Sequence, residues 1–501
     1  MCMTEDETPA AGAPVARVLA LRWVLGPLSG ALALMAIVFH VQGWDSMARN
    51  SKYEASADGT GWLVFLAFLF SIVGLVLLLV VLTNLAAGGY HKAYVFGLPL
   101  AGAVLIAWPG WQFTEWVRGP MLDIAWTVPL DGPGTVSTQG LWVTDDGMVI
   151  RGREDALIAH DPRDGERRWS VDAPVRMSLC SMSDSVSQGI GIVVHQRHEK
   201  PCASVSAVDL DSGRILWRTT VVADDLDFAQ VQGGRVAVDQ EVAVAATEDG
   251  ARAFGLRDGR PRWTYRADDD YCGPALVSAA GGRTRIVEVC DPLGADKVTT
   301  RVLTLDSGNG KELHRQDLPT ETSMSEVGVI SAEPLVIQVK ESDERGLDAV
   351  VAFERDSGEP MIMKRVGTDG EIFLEGAVVH GGTLFAITQT SGTGKAHHVS
   401  AYSLRDGERR WLVKVGDSRR DSVQSLTVAG GRIGVYVNDQ RVLSLDPYTG
   451  AKQHDHGAVI DEGATKTGSG VDILAGPDDG WILVNLSSGS YPPLVGLTPK
   501  D

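Results

Sequence analysis

Hydrophobic and polar residues are arranged differently in the first 120 residues and in the rest of the chain. The first part contains three long apolar runs that lack charged residues, and these runs predict transmembrane helices at 23–44, 61–85 and 93–111. A cleaved signal peptide is the alternative for the first run, which is longer than a usual signal core. The pattern predicts an N-terminal tail over 1–20, a membrane domain over 21–111 and a separate domain over 118–501.

After residue 120 a short motif recurs in which a small residue, a polar residue, a glycine and a tryptophan keep a fixed spacing. Its first copy is Ala159, Asp161, Gly165 and Trp169. Alternating strands precede and follow each glycine, so each copy predicts a β-hairpin that closes through the positive φ of that glycine. The seven glycines of the motif lie 43 to 51 residues apart and are Gly165, Gly213, Gly259, Gly310, Gly358, Gly407 and Gly450.

This period is typical of a propeller or a solenoid, and about four short strands per period predict one propeller blade. The segment around Trp126 resembles a returning strand without its hairpin partner, whereas the C-terminal residues 494–501 resemble a hairpin that lacks its return strand. We therefore expect an all-β, eight-bladed β-propeller closed by pairing of the two ends, preceded by three transmembrane α-helices. A ring of seven blades is the main alternative.

Charge and cysteine usage narrow the possible partners and compartments. The 45 basic and 64 acidic residues give a net charge of -19, which argues against nucleic-acid binding. Cys2 precedes the first apolar run, whereas the other four cysteines form an even set in the predicted propeller: Cys180, Cys202, Cys272 and Cys290. Paired cysteines indicate an oxidising compartment, so we expect a cytoplasmic N-terminus and an extracellular propeller at the plasma membrane. Four unrelated buried thiols facing the cytoplasm are the alternative.

The motif copies at 159–169 and 207–217, with weaker copies up to residue 454, resemble the repeats of pyrroloquinoline-quinone-type propellers, which include the BamB lipoproteins and quinoprotein alcohol dehydrogenases. This resemblance is specific for the fold and only weakly specific for function. It implies that the repeated glycines and the tryptophans dock neighbouring blades on one another. The tryptophans concerned are Trp126, Trp169, Trp217, Trp263 and Trp411.

On this blade map the cysteines occupy similar places in two blades separated by a third. We therefore predict the disulfides Cys180–Cys202 and Cys272–Cys290, although the sequence alone permits three connectivities. Each disulfide would close a loop of about 20 residues and contribute about 3 kcal/mol.

The residues that could form a calcium, metal or phosphate site have simpler structural explanations. The acidic clusters at 224–227 and 268–270 lack the ligand spacing of a calcium loop, and we interpret them as solvated loops. The histidine pairs at 397–398 and 454–456 offer too few ligands for a metal site. The glycine-rich segment 391–395 lies between strands and is interpreted as a hairpin loop.

We therefore expect no catalytic residues, no metal and no cofactor, and we identify no cofactor-binding residue. The predicted function is that of a non-enzymatic, membrane-tethered propeller that binds a protein, the cell wall or a small ligand, with the lipid bilayer as its other partner. The acidic loops 221–228 and 341–347 are candidate contact regions. The alternative is a membrane-bound quinoprotein dehydrogenase that depends on pyrroloquinoline quinone and Ca²⁺, whose tryptophans would stack on the quinone.

Overall fold

In a computed structural model of the chain, each of the seven motif hairpins forms the last two strands of one blade. The structure describes a helical part at 24–40, 60–87 and 92–118. It describes the rest at 121–132, 136, 138–197, 202–221, 234–269, 271–291, 298–320, 322, 324–342, 346–365, 371–372, 376–389, 396–415, 423–437, 441–458, 470–486 and 491–499. The chain divides into two compact units, residues 1–119 and 120–501, which are described separately.

The first unit contains helices at the positions of the three apolar runs. They are α1 at residues 24–40, α2 at Thr60–Ala87 and α3 at Lys92–Arg118, which includes Pro99 and Pro109. No helix in the described part of the chain combines the length and the apolar character that a membrane crossing requires. The prediction of helices is confirmed, whereas the prediction that they span a membrane is not.

The second unit is a ring of eight blades, each of which is an antiparallel sheet of four main strands. The eight-bladed prediction is therefore confirmed. Chain order gives blade 1 as β2 Thr138–Val143, β3 Val149–Arg153, β4 Ala156–His160 and β5 Arg167–Asp172. Blade 2 is β6 Met177–Met182, β7 Ile190–Arg197, β8 Cys202–Asp209 and β9 Ile215–Thr220. Blade 3 is β10 Val236–Asp239, β11 Val242–Thr247, β12 Gly250–Gly255 and β13 Pro261–Arg266. Blade 4 is β14 Cys272–Ala280, β15 Arg283–Cys290, β16 Thr299–Asp306 and β17 Glu312–Asp317.

The second half of the ring repeats this arrangement. Blade 5 is β18 Met324–Ala332, β19 Leu335–Glu341, β20 Asp348–Phe353 and β21 Pro360–Arg365. Blade 6 is β22 Glu371–Ile372, β23 Val378–His380, β24 Thr383–Gln389, β25 Ala396–Ser403 and β26 Arg409–Lys414, with β22 and β23 both paired to β24. Blade 7 is β27 Val423–Ala429, β28 Arg432–Val437, β29 Arg441–Leu445 and β30 Lys452–Ala458. Blade 8 is β31 Val471–Ala475, β32 Trp481–Asn485, β33 Leu494–Pro499 and β1 Met121–Thr127.

Blade 8 closes the ring with strands from both ends of the second unit. Strand β1 pairs antiparallel with β33, so that Trp126 lies opposite Gly496, as the ends of the sequence predicted. The same strand also pairs in parallel with β30 of blade 7 through Met121 and Leu122. Blades 7 and 8 therefore form one continuous eight-stranded sheet.

The meander order places two kinds of connection on opposite faces of the ring. The links between blades, such as residues 173–176, emerge beside the hairpins that join the second and third strands; we call this the connection face. The motif turns, such as residues 161–166, emerge on the other side, which we call the turn face. The apolar core lies between the blades, in eight clusters that each join two neighbouring blades.

Candidate functional site

The motif tryptophans reach from one blade into the next. Trp169 lies opposite Ala159 in blade 1, and its indole N–H donates a hydrogen bond of 2.9 Å to the carbonyl of Leu210 in blade 2. The same bond to the turn of the following blade is made by Trp217 to Leu256 at 2.7 Å, by Trp263 to Ser307 at 2.7 Å and by Trp411 to Pro447 at 3.2 Å. Each of these rings is therefore used in blade docking, with its polar atom satisfied.

The motif glycines accept these rings at a distance that no side chain would tolerate. A Cβ atom on Gly213 would lie 2.7 Å from the Trp169 ring, and one on Gly165 would lie 2.5 Å from the Trp126 ring. Similar approaches occur at Gly259, Gly310 and Gly450, whereas Gly358 faces His314 at 3.0 Å. All seven motif glycines, Gly407 included, have φ between 65° and 73°. Glycine is thus required both for the turn and for the close approach.

Two disulfides join the predicted cysteines. Cys180 is bonded to Cys202 in blade 2, and Cys272 is bonded to Cys290 in blade 4, where the two residues are direct cross-strand partners. Among the described residues, the one cluster of three potential metal ligands is Cys272, Glu288 and Cys290. Its sulfur atoms form the disulfide, and the buried Glu288 accepts hydrogen bonds from Arg301 and Tyr265, so these groups already have partners.

The remaining candidate groups are only partly described. Asp268 pairs with Arg315, and Asp269 accepts a hydrogen bond from the backbone N–H of Tyr271, so both belong to ordinary loop contacts. Residues 222–233, 270, 343–345 and 390–395 lie outside the described residues, as do the side chains of His397, His454 and His456. Strands β24 and β25, on either side of the glycine-rich segment, do pair antiparallel.

One interface departs from the apolar pattern of the others. On the face that each blade turns toward the preceding blade, two positions are apolar in blades 2 to 8. The motif's small residue lies on the third strand of a blade and pairs with a residue on the second strand. The first position is the residue that follows this partner, and its occupants are Val193, Ala245, Ile286, Ile337, Ala386, Val435 and Leu483. The second directly follows the small residue, as Val208, Phe254, Leu305, Phe353, Tyr402, Leu445 and Leu497. In blade 1 these two positions are Arg151 and His160, and they face blade 8.

Arg151 and Arg153 converge on one carboxylate from the connection between blades 8 and 1. Arg151 donates two hydrogen bonds to Asp131, at 2.8 and 3.0 Å, and Arg153 lies 3.0 Å from the same carboxylate. Arg153 also binds Asp155 at 2.8 Å. Both arginine side chains are at least 97% buried, with exposures of 2% and 3%. Burial raises the pKa of Asp131, but the hydrogen bonds and charges of Arg151 and Arg153 outweigh this effect and lower it below its usual value.

His160 is buried next to this network as a neutral ring. Its exposure is 4%, and burial is the main reason that its pKa lies below the usual value, with the positive charge of Arg151 acting in the same direction. Its Nδ1 atom lies 3.0 Å from the carbonyl oxygen of Gly165. Because a carbonyl only accepts, Nδ1 carries the proton and Nε2 is an acceptor. Neither this Nε2 nor Nε of Arg151 has a hydrogen-bond partner in the described part of the chain.

A cavity of about 640 Å³ opens between blades 8 and 1 beside these residues; we call it the closing cleft. Its walls are the connection 127–132, Arg153, Asp155 and Ala156 at the hairpin end, Ile158 and His160 of β4, and residues 164–167, Ser170 and Asp172 of the motif turn and β5. Five carboxylates and two guanidinium groups line it, at Asp131, Asp155, Asp164, Glu166, Asp172, Arg153 and Arg167. The closing cleft therefore combines a polar wall of negative net charge with an apolar edge.

Comparison with known proteins identifies the family. The family model described as outer membrane protein assembly factor BamB matches residues 201–359 and 347–501, more than half of the chain. The chain belongs to this family. No curated protein matches it in sequence.

Three solved structures similar to this member of the BamB family share 10% to 12% sequence identity with it. A computationally designed protein, Ika8, is 12% identical, with 75% of this chain and 98% of that chain covered and a TM-score of 0.48. BamB from Moraxella catarrhalis is 12% identical, with 72% and 97% covered and a TM-score of 0.41. Sqt1 from Saccharomyces cerevisiae is 10% identical, with 75% and 99% covered and a TM-score of 0.45.

Neither matched segment of the BamB family model includes the closing cleft, because both begin after residue 200. Asp131, Arg151 and His160 were not among the functional residues predicted from the sequence. One signal was present in the repeat itself, since His160 occupies a position that is apolar in the other seven copies.

Proposed function

We propose that this protein is a non-enzymatic binding propeller that holds a protein partner of the cell envelope. Membership of the BamB family carries this proposal, since that family is described by a role in protein assembly. The docking of four motif tryptophans supports it further. Each of these rings lies between two blades and donates its N–H to a turn carbonyl, which leaves it unsuited to stack on a quinone.

The connection face is the surface that best suits a partner. Exposed apolar side chains occur there on three links between blades, at Leu130, Val175 and Tyr271, with exposures of 57%, 88% and 48%. Exposed apolar and aromatic side chains are typical anchors of protein interfaces. Each anchor lies at a link whose ends are fixed by blade strands, so the three residues are held by the ring itself.

Site-specific photocrosslinking in living cells tests the connection face. A photoreactive residue at Val175 or Tyr271 is expected to give one discrete crosslinked product, the same from both sites. Tyr448 on the turn face, 82% exposed, is the matched control and should not give that product. Equal products from both faces, or none from the connection face, would show that the partner does not bind there.

We also propose that the helical unit attaches the protein to the plasma membrane, with the N-terminus in the cytoplasm and the propeller outside. Its support is the apolar surface of the helices, where Ile37, Ile72, Leu75 and Leu105 are between 58% and 74% exposed. Soluble proteins rarely expose large apolar patches, whereas lipid accepts them. The two disulfides favour an oxidising compartment for the propeller.

Fractionation and topology reporters test this attachment. The full chain should stay with membranes after alkaline carbonate washing and should enter the detergent phase on phase separation. A reporter that is active only outside the cytoplasm should be active when fused after residue 501 and inactive when fused before residue 1. Release by carbonate, or the reverse reporter pattern, would rule out this arrangement.

An enzymatic assay separates the binding role from that of a quinoprotein. The purified chain, incubated with pyrroloquinoline quinone and Ca²⁺, is expected not to oxidise alcohols or sugars with an artificial electron acceptor. Turnover that depends on added quinone would overturn the non-enzymatic proposal.

A further inference from the structure

We propose that the closing cleft is a binding site for a neutral saccharide, held through hydroxyl groups at His160 and Arg153. This site lies at the junction of blades 8 and 1; it shares Leu130 with the connection face but includes neither of the two crosslinking sites, Val175 and Tyr271.

The first support is that polar residues replace apolar ones at two positions of a single junction, that of blades 8 and 1. Arg151 and His160 occupy positions that are apolar in the seven other blades, where the equivalent residues belong to the clusters between blades. Among the described residues, the apolar cluster of junction 8/1 holds five buried residues, against six at the junction of blades 5 and 6 and 14 at that of blades 4 and 5. Packing between blades thus does not require charged residues at these positions, and their presence coincides with the cavity.

The second support is the hydrogen-bonding state of the buried groups. His160 Nε2 is an acceptor without a partner among the described residues, and its side chain lines the cleft. Nε of Arg151, a donor, also lacks a described partner; Arg151 shares one face of blade 1 with His160 but does not itself line the cleft, whereas Arg153 does. Buried polar groups in proteins are nearly always paired, so unpaired ones beside a cavity point to a ligand.

The pairing chemistry selects the ligand class. A hydroxyl group can donate to His160 Nε2 and accept from a guanidinium group at the same time. An ammonium group could donate to His160 Nε2 but has no lone pair with which to accept from Arg153, whereas a hydroxyl group can do both. A carboxylate or phosphate could accept from the arginines but would face the lone pair of Nε2 and the five carboxylates of the cleft.

Other residues of the cleft walls also suit a sugar. The carboxylates of Asp155, Glu166 and Asp172 can accept further hydroxyl hydrogens, while Val128 and Ile158 offer apolar surface to a C–H face. The volume of about 640 Å³ lies within the usual range of small-molecule sites. A free sugar and a unit of a cell-envelope glycan present the same hydroxyl chemistry.

Binding should be measured on the full chain in a zwitterionic detergent, because glucoside and maltoside detergents would compete. Titration calorimetry and saturation-transfer NMR would use the neutral disaccharides maltose, cellobiose and diacetylchitobiose, with glucosamine and glucuronic acid as charged probes. We expect one neutral disaccharide to bind with micromolar to millimolar affinity, and the charged probes at least tenfold more weakly. Hexasaccharides of the same series distinguish the sources: a gain of tenfold or more indicates a polymer, and an unchanged or weaker affinity indicates a free sugar.

The decisive variant is His160→Leu, since leucine is the natural residue at this position in blades 4, 7 and 8. It should weaken binding at least tenfold without lowering the melting temperature, whereas His160→Gln, which retains an acceptor, should weaken it less. Arg315→Ala removes a surface ion pair in blade 4 and should leave binding unchanged. Absence of binding by every neutral probe, stronger binding of a charged probe, or wild-type affinity in His160→Leu would overturn the proposal.

Discussion

The junction of blades 4 and 5 and the junction of blades 8 and 1 are equivalent positions in one ring, yet they are held together by different forces. The first buries 14 apolar residues, among them Ile337, Val351 and Phe353. The second buries five and adds an ion network centred on Asp131. The fold therefore tolerates either kind of packing between blades. The two junctions also differ in that the closing cleft opens at junction 8/1.

Apolar packing is non-directional and improves with every buried group, whereas a buried ion network must first offset the cost of desolvation. The network gains from its geometry, because Arg151 binds Asp131 with two parallel hydrogen bonds. The comparison indicates that apolar packing dominates junction 4/5, whereas junction 8/1 combines a small apolar cluster with a buried ion network.

The largest effect is expected from a truncation in the apolar junction. Ile337→Ala, at the position equivalent to Arg151, should lower the free energy of unfolding by about 4 kcal/mol, because it leaves a cavity in a closely packed cluster. Urea unfolding followed by tryptophan fluorescence measures this change. Ile337→Val is the matched control and should cost about 1 kcal/mol. A cost below that of the control would show that apolar packing does not dominate junction 4/5.

A somewhat smaller loss is expected when the ion network loses its central carboxylate. Asp131→Ala leaves two buried guanidinium groups short of a partner and should cost about 3 kcal/mol in the same unfolding experiment. Asp155→Ala removes a carboxylate that is 45% exposed and should cost no more than about 1 kcal/mol. Equal losses in the two variants would mean that burial of the network contributes little.

His160→Leu should reverse the sign of the effect. Replacing an unpartnered buried acceptor by the apolar residue of other blades should raise the free energy of unfolding by about 1 kcal/mol at pH 7.5. A destabilised variant would indicate that the bond between His160 and Gly165 outweighs the unpaired Nε2.

The smallest expected effect is a difference in pH dependence. His160 has a lowered pKa in the folded state, so below the ordinary value of 6.5 the unfolded chain binds a proton that the folded chain does not. Wild-type stability should therefore fall between pH 7.5 and 5.5 by up to about 1 kcal/mol more than that of His160→Leu. Buried His195, whose pKa is lowered to about 4, contributes equally to both proteins and cancels. Parallel curves for the two proteins would contradict this assignment.

The sequence repeat was sufficient to predict the ring of eight blades, but it did not predict the ion network at the junction of blades 8 and 1. The spacing of Gly165, Gly213 and the later glycines predicted eight blades, and Trp126 predicted the closing strand, because these residues make contacts that recur in most copies. The disulfides followed from the same alignment. Helices formed where the apolar runs predicted them, whereas a membrane crossing was not confirmed.

The ion network could not be predicted in the same way, since it depends on contacts that do not recur. Asp131 lies in a link between blades, and only the pairing of β3 with β4 places Arg151 and His160 on one face toward it. His160 alone could have been noticed, as the one polar residue at an otherwise apolar position of the repeat.

The double pairing of strand β1 has a consequence for biosynthesis. This strand leaves the ribosome before any blade, yet its antiparallel partner β33 ends at Pro499, 372 residues after β1 ends at Thr127. At translation rates of about 5–20 residues per second, β1 waits roughly 20–70 seconds for that partner. Its parallel partner β30 is complete at Ala458 and offers an earlier docking place. The seam between blades 7 and 8 can thus protect the nascent edge before the ring closes.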